Sequence, residues 1–332
     1  MDGSTKKPNR PLGGINVSKY ILQRIGAMLL TLFIIVTIGF MAIRLMPGGM
    51  FDNDADMTTE QKAAIEAKYN LDKSLPEQYW LFLKGLVTKG DWGISLSLYP
   101  NTPVWDVIRN KIPLTMYINF LSLFISLPLG VLFGIIAAVR KNTIADHSIN
   151  FFVVLMISIP SFVFATLLQY LISYKIGILP IIFDGAAVGW QRFKGLILPI
   201  IALALSPIAR VTRYLRAELA ETINSDFMLL ARTKGLTERQ ATVRHGIRNS
   251  MLPLINILVH MLTGIMGGSM VIEDIFGIPG IGGIMIQSIN AHDYPVTLAA
   301  LIFYSIISLT ANLAVDLLYG VVDPRIRMGG KT

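Results

Sequence analysis

DFMLLARTKGLTERQATVRHGIRNSMLP occupies residues 226–253 and forms a charged stretch between two apolar segments. Its pattern predicts two short helices that meet at a corner. The first helix is expected over 227–234, and Gly235 stands where a helix end favours a left-handed residue without a Cβ. Residues 237–240 have the spacing of a capping box, so a second helix is expected to begin at once. Leu236 is left at the tip of this corner, and we call residues 226–253 the elbow.

The composition of the chain is that of a membrane protein. Of its 332 residues, 53% are hydrophobic and 15% are charged, against about 25% charged in soluble domains. Apolar runs of about 18 residues or more recur, and this length spans a bilayer core. We therefore predict an all-α membrane protein with six transmembrane helices. The spans are expected at 20–46, 113–139, 151–174, 195–208, 254–271 and 296–319.

These spans also divide the chain into domains. The predicted domains are a polar tail (1–19), span 1 (20–46), an extracytoplasmic segment (47–112), a transmembrane domain of spans 2–6 that contains the elbow (113–322), and a second tail (323–332). Within span 3, Pro160 is expected to kink the helix, which neighbouring helices in a membrane tolerate.

The distribution of basic residues predicts the orientation of the chain. The first 24 residues, the 140–150 loop, residues 210–252 and the residues after Tyr319 together carry 18 Lys and Arg, and the other side carries 11. Seven of those 11 lie in the long segment 48–111, which we discount because long loops cross the membrane largely regardless of charge. Both termini and the elbow are therefore expected in the cytoplasm. The net charge of +8 is interpreted in the same way, and not as a sign of nucleic-acid binding.

The sequence offers little for nucleotide, metal or proton chemistry. Gly330-Lys331-Thr332 lacks the glycine that a phosphate-binding loop requires five residues earlier, where Arg325 stands. The glycine-rich stretch 277–283 contains proline and is interpreted as a structured external turn. The chain has no cysteine and its four histidines are scattered, so no metal site is expected. Asp316 is the sole acid well inside an apolar run, which disfavours a proton-coupled carrier.

Several polar side chains fall inside the predicted spans, and two interpretations of them stay open. They either line a translocation pathway or form hydrogen bonds between helices, which contribute about 1 kcal/mol each. The candidates are Asn119, Ser122, Gln169, Asn256 and Thr263.

The elbow resembles the cytoplasmic Glu-Ala-Ala loop of permease subunits in ATP-binding-cassette (ABC) importers. Gly235 takes the position of the glycine of that loop. The glutamate, the middle alanine and the final proline are replaced by Leu229, Leu230 and Arg248. A closer resemblance is to the B-type permease of oligopeptide, dipeptide and nickel importers. The residues that carry it are 90–95 (GDWGIS), 158–162 (SIPSF), 231–236 (ARTKGL), Arg244-His245, Arg248-Asn249, Leu252-Pro253, 273–280 (EDIFGIPG), 293–295 (DYP) and 323–327 (DPRIR).

This resemblance covers about residues 18–328 and implies a type I ABC importer permease fold in a bacterial cytoplasmic membrane. Such a subunit pairs with a C-type permease and works with two ATPase subunits, which use ATP and Mg, and with an extracytoplasmic solute-binding protein. The resemblance implies an oligopeptide substrate, while dipeptides, nickel or another small solute are alternatives within the family. A secondary carrier or channel, and a membrane scaffold for a signalling receptor, are the alternatives from other classes.

Two sets of candidate site residues follow from the resemblance. The elbow is expected to seat in a groove of an ATPase subunit, with Leu236 in an apolar pocket of that partner. The coupling candidates are Ala231, Arg232, Lys234, Gly235, Leu236, Thr237, Glu238 and His245. The external segments 48–111 and 275–295 are expected to receive the solute-binding protein, with candidates Asp91, Trp92, Pro279, Gly280, Asp293 and Tyr294. No catalytic residue, and no cofactor bound by this chain, is expected.

Overall fold

The computed structural model describes residues 17–45, 67, 70–251, 254, 257–258, 261 and 269–322, with the backbone alone at 17–20 and 315–322. Within these residues the chain is almost entirely helical. The helices are α1 (Val17–Leu45), α2 (Leu75–Lys89), α3 (Val104–Val139), α4 (Ile144–Ser158), α5 (Ser161–Leu168), α6 (Gly189–Thr222), α7 (Asp226–Thr233), α8 (Glu238–Ala241), α9 (Ile247–Met251), α10 (Met270–Ile275), α11 (Ile281–Asn290) and α12 (Tyr294–Val322). π-Helical turns follow α5 (Gln169–Ile176) and α8 (Thr242–Gly246), and two short strands, β1 (Ile94–Ser95) and β2 (Thr102–Pro103), pair antiparallel.

Four of the described helices are long and apolar enough to cross a membrane: Ile21–Leu45 within α1, all of α3, all of α6, and Tyr294–Ala314 within α12. A fifth span results if α4 is counted together with Ser161–Ile176. Most of the predicted span 5 lies outside the described residues, as do both predicted tails apart from the backbone at the start of α1. The helical membrane architecture is confirmed, and the count of six spans stays a prediction.

The structure replaces the kink predicted at Pro160 with a corner. The helix before this proline and the helix after it are bent by 102° relative to each other. Ile159 is extended, with φ −89° and ψ 126°, because the proline ring disfavours helical backbone at the preceding residue. The carbonyl of Pro160 then accepts hydrogen bonds from the amides of Val163 and Phe164, which starts α5 in a new direction.

Two spans are longer than their apolar runs predict. α3 begins at Val104 instead of residue 113, because Val104, Val107 and Ile108 put a buried apolar face on its first turns. Residues 104–112 therefore belong to this helix and not to the segment before it.

α6 likewise extends past its predicted end at residue 208. Buried Val211, Leu215 and Leu219 continue its apolar face into the charged part of the sequence. Arg210, Arg213 and Arg216 therefore lie in the second half of one long helix.

The centre of the molecule is the pair formed by α3 and α6. A Cβ on Gly130 would lie 2.7 Å from Cβ of Val211, and one on Gly134 would lie 2.9 Å from Cβ of Leu215. Thr212 Oγ1 donates a hydrogen bond to the carbonyl of Gly130 at 3.2 Å. Small residues let membrane helices approach closely, and these two helices run parallel with their backbones in near contact. Both helices therefore lead toward the elbow.

A second pair, α1 and α12, is covered by α2. Val36 and Phe40 of α1 are buried in one cluster with Leu298 of α12. Phe40 also lies 5.3 Å from the ring of Tyr79 in α2, measured between centroids. Trp92, just after α2, packs against this cluster and against Val104 at the start of α3. The start of α3 is the end away from the elbow, and we call it the far end.

Candidate functional site

The elbow has the capped corner that its sequence predicts. Gly235 follows α7 with φ +92°, and no atom lies within 4 Å of the position where its Cβ would stand. The backbone conformation is therefore what requires glycine here. At the start of α8, Gln240 N donates to Thr237 Oγ1 at 3.3 Å and Thr237 N donates to Gln240 Oε1 at 3.1 Å. The two helices and the capping box between them are confirmed.

A small apolar core holds the corner together. Met228, Ala231 and Ala241 are buried, and Leu236 packs half-buried against them. Its contact with a partner's pocket stays a prediction, but Leu236 does not stand free at the tip. The reason is that α8 folds back against α7 and Leu236 covers the gap between them. Ala231, another coupling candidate, is interior as well.

The charged coupling candidates divide into two groups. Arg232 is used within the chain, because its Nη2 donates to the carbonyl of Ile223 at 2.9 Å, just beyond the end of α6. That bond satisfies a carbonyl that the helix end would otherwise leave open. The side chains that remain exposed at the surface are Lys234, Thr237, Glu238 and His245.

The sequence interpretation missed the outward apolar surface of the elbow. Leu229 and Leu230 are 58% and 55% exposed, and Phe227 and Val243 are exposed too. At about 100° per helical residue, Leu229 and Leu230 both point away from the inward face that Met228 and Ala231 form. The helical period could have predicted these exposed leucines. If residues 228 and 231 face inward, residues 229 and 230 must face outward.

The elbow is fastened to the end of α6. Ser250 Oγ donates to Thr222 Oγ1 at 3.0 Å. A Cβ on Gly246 would lie 3.4 Å from Cδ1 of Leu219 and 3.6 Å from Cε of Met228. With the Arg232 bond, these contacts join both halves of the elbow to the last turns of α6. A displacement of the elbow therefore moves that helix end.

At the far end, Asp293 is an interior anchor. Its side chain is fully buried, and its Oδ2 accepts hydrogen bonds from Ser95 Oγ at 2.5 Å and from Leu98 N at 2.9 Å. Tyr294 and Gly280 are buried too. These three candidates for binding-protein docking lie inside the chain, which corrects their predicted place at its surface. Asp293 therefore binds groups within the chain, at the segment 95–98.

The other docking candidates stay closer to the surface. Asp91 and Pro279 are exposed, and Trp92 is half-buried. The carboxylate of Asp91 accepts a hydrogen bond from Gly93 N at 2.9 Å, and the Trp92 ring stacks on Trp105 with centroids 5.5 Å apart. Asp91 and Trp92 belong to the turn that leads into β1.

A buried carboxylate that the sequence interpretation missed holds the glycine-rich turn. Glu273 accepts hydrogen bonds from Gly282 N at 2.7 Å, Gly283 N at 3.2 Å and Thr115 Oγ1 at 3.0 Å. Burial raises the pKa of Glu273, and these hydrogen bonds oppose the rise. The turn predicted over residues 277–283 ends at Gly280, because α11 starts at Ile281. In the sequence, an acidic residue followed by several closely spaced glycines was the signal that could have predicted this buried carboxylate.

The pathway candidates that the structure describes make structural contacts. Gln169 Nε2 donates to the carbonyls of Ile181 at 2.8 Å and Ile275 at 3.0 Å, so it bridges separate parts of the chain. Asn119 Nδ2 bonds to the carbonyl of Thr115 in its own helix, and Ser122 is buried. Asn256 and Thr263 lie outside the described residues.

Within the part of the chain that the structure describes, no three His, Cys, Asp or Glu side chains are grouped so that they could hold a metal ion.

Comparison with known proteins finds two matching family models and several similar chains. Residues 130–328 match the family described as "Binding-protein-dependent transport system inner membrane component", and residues 17–119 match the N-terminal family of such membrane components. The chain is 40% identical to the dipeptide transport system permease protein DppB of Lactococcus lactis over 93% of its length and 99% of that protein. It is 34% identical to DppB of Bacillus subtilis, with 95% and 100% covered. It is 36% identical to the oligopeptide transport system permease protein OppB of Escherichia coli, with 93% and 99% covered.

Proposed function

We propose, since the chain belongs to the family of inner-membrane components of binding-protein-dependent transport systems, that it is the transmembrane permease subunit of an ATP-driven peptide importer. The observation that carries this proposal is the elbow. It is a capped helical corner with apolar side chains turned outward, and it is joined by hydrogen bonds to the end of a membrane-length helix. The names of the similar permeases, which concern dipeptides and oligopeptides, support peptide as the substrate class.

The elbow is proposed as the docking site for an ATPase subunit. Leu229 and Leu230 would form the apolar centre of the contact, with exposed Lys234, Glu238 and His245 around it. An apolar centre within a polar rim is the usual composition of a protein–protein interface. The orientation count supports a cytoplasmic location for this surface, where ATPase subunits would meet it.

Energy from ATP would reach the membrane through this contact as a movement. The elbow's capping box and its small core make it rigid, and its bonds to Thr222 and Ile223 tie it to α6. A groove that closes on the elbow would therefore displace α6, and with it the closely packed α3. In this proposal the chain itself hydrolyses nothing.

The far end is proposed to face the extracytoplasmic solute-binding protein. Of the original candidates, exposed Asp91 and Pro279 and half-buried Trp92 are placed to contact a partner. A C-type permease would complete the translocation pathway. Oligopeptides are the proposed substrate, and dipeptides, nickel or another small solute are the alternatives that the following experiment separates.

The test is reconstitution of this chain in proteoliposomes, alone and together with the subunits that co-purify with it. We expect ATP-dependent uptake of a labelled peptide by the full complex and no flux by the chain alone. Parallel assays with a pentapeptide, a dipeptide and Ni²⁺ assign the substrate. Peptide flux through the chain alone without ATP would contradict the proposal and favour a secondary carrier or channel.

A further inference from the structure

Asp146 is a fully buried carboxylate at the start of α4. Its Oδ1 accepts a hydrogen bond from Arg216 Nε at 2.6 Å, and its Oδ2 accepts one from Arg216 Nη2 at 2.9 Å. Asn142 N donates to Oδ2 at 2.9 Å, and Asn150 Nδ2 donates to Oδ1 at 2.7 Å. Two parallel bonds from one guanidinium fix the angle between the groups as well as their distance.

This ion pair joins α4 to the part of α6 that carries the elbow. Arg216 lies less than two turns before Thr222, the last residue of α6, and Thr222 accepts the hydrogen bond from Ser250 of the elbow. An unbroken chain of short contacts therefore runs from the elbow through α6 to Asp146.

Within the described residues, α4 packs against α6 and α3 but buries few of its own side chains. Of its 15 residues, Asp146 and Val153 are the buried ones. Phe151, Phe152 and Val154 are more than half exposed. The carboxylate at its first turn is therefore a main attachment of this helix, and α4 leads directly into the 102° corner before α5.

The remaining arginines near this position on α6 do not share this environment. Arg210 and Arg213 are exposed, and Arg210 Nη2 lies 3.3 Å from Ser206 Oγ in its own helix. Arg216 is half-buried against α4. Removing a charge at residue 213 therefore leaves the contact between the helices intact, which provides a matched control.

We propose that Asp146 and Arg216 form a strut that passes the displacement of the elbow from α6 to α4 and to the bent segment that follows. The inference rests on the proposed function, because it assigns a route for the movement that an ATPase would impose. Asp146 and Arg216 are positioning residues in this proposal, since each is assigned its role through its bond to the other.

The test compares variants in the assembled transporter, measuring peptide uptake, ATP hydrolysis and the yield of complex by gel filtration. Asp146→Asn removes the charge and keeps an oxygen for Asn142 N. The double variant Asp146→Asn/Arg216→Met leaves no unpaired buried charge, so it guards against simple misfolding. Arg216→Lys keeps the charge but loses the two-pronged geometry. Arg213→Gln is the control.

Peptide imported per ATP hydrolysed is expected to fall about tenfold in Asp146→Asn and in the double variant, a size typical of coupling changes. Arg216→Lys should give an intermediate ratio, and Arg213→Gln the wild-type ratio. An unchanged ratio in the double variant would overturn the strut, and so would uptake and hydrolysis that fall in proportion. Failure of both charge-removing variants to assemble would assign the pair to folding and also overturn it. Absence of ATP-dependent uptake in the wild type would refute the proposed function instead.

Discussion

Gly235→Val is expected to lower peptide uptake by about tenfold or more while the chain still inserts and assembles. The φ of +92° at this position costs a residue with a Cβ roughly 1–2 kcal/mol, and a β-branched side chain more. Since the space around the glycine is open, the strain is relieved by turning α8 away from α7. The docking surface on the elbow then loses its shape, and ATP hydrolysis no longer drives transport.

Two control variants separate this effect from general damage. Gly235→Asn should retain most uptake, because asparagine enters left-handed backbone more readily. Gly26→Val adds the same side chain where nothing lies within 4 Å and φ is not positive, so it should leave uptake unchanged. For each variant, uptake is measured together with ATP hydrolysis and expressed as peptide imported per ATP hydrolysed. Wild-type uptake by Gly235→Val would remove the elbow from the coupling mechanism.

Gly280→Ala is expected to destabilise the folded chain strongly. Its Cβ would lie 2.3 Å from Oε2 of Glu273 and 2.4 Å from Oγ1 of Thr115. Both side chains must move, and the carboxylate of Glu273 then leaves the amides of α11. Overpacking and the lost hydrogen bonds together cost about 3 kcal/mol or more. We expect a lower melting temperature and a lower folded yield in detergent.

Gly26→Ala is a control variant that is not expected to lower the stability. It adds a methyl group to open space in the interior of α1, where alanine favours a helix over glycine by about 1 kcal/mol. Its melting temperature should stay unchanged or rise. A Gly280→Ala protein as stable as wild type would mean that Glu273 does not occupy the position between Thr115 and α11.

Local sequence signals predicted the elbow well because its corner depends on neighbouring residues. A left-handed glycine and a capping box act within four positions of each other, and both are present at Gly235 and Thr237. The membrane helices within the described residues were also predicted from their apolar runs. Their ends were not, because Val104 and Leu219 are buried by residues far away in the chain.

Contacts between distant residues explain what the sequence could not reveal. Asp293 and Ser95 are 198 positions apart, so the two motifs 90–95 and 293–295 looked like surface features although they bind each other. The Asp146–Arg216 pair spans 70 positions, which is beyond the reach of local sequence patterns. The partial burial of Leu236 was hidden for a related reason, since it depends on how α8 folds onto α7.

The central claim is that the elbow, through its outward face, contacts an ATPase subunit. The direct measurement places a photoreactive amino acid at Leu230 in membranes that contain the complete transporter, with Trp190 at the far end as an equally exposed control site. The account predicts a cross-link to the ATPase subunit from position 230 and none from position 190. Adducts from position 230 with lipid alone, or ATPase adducts of equal yield from both positions, would contradict it.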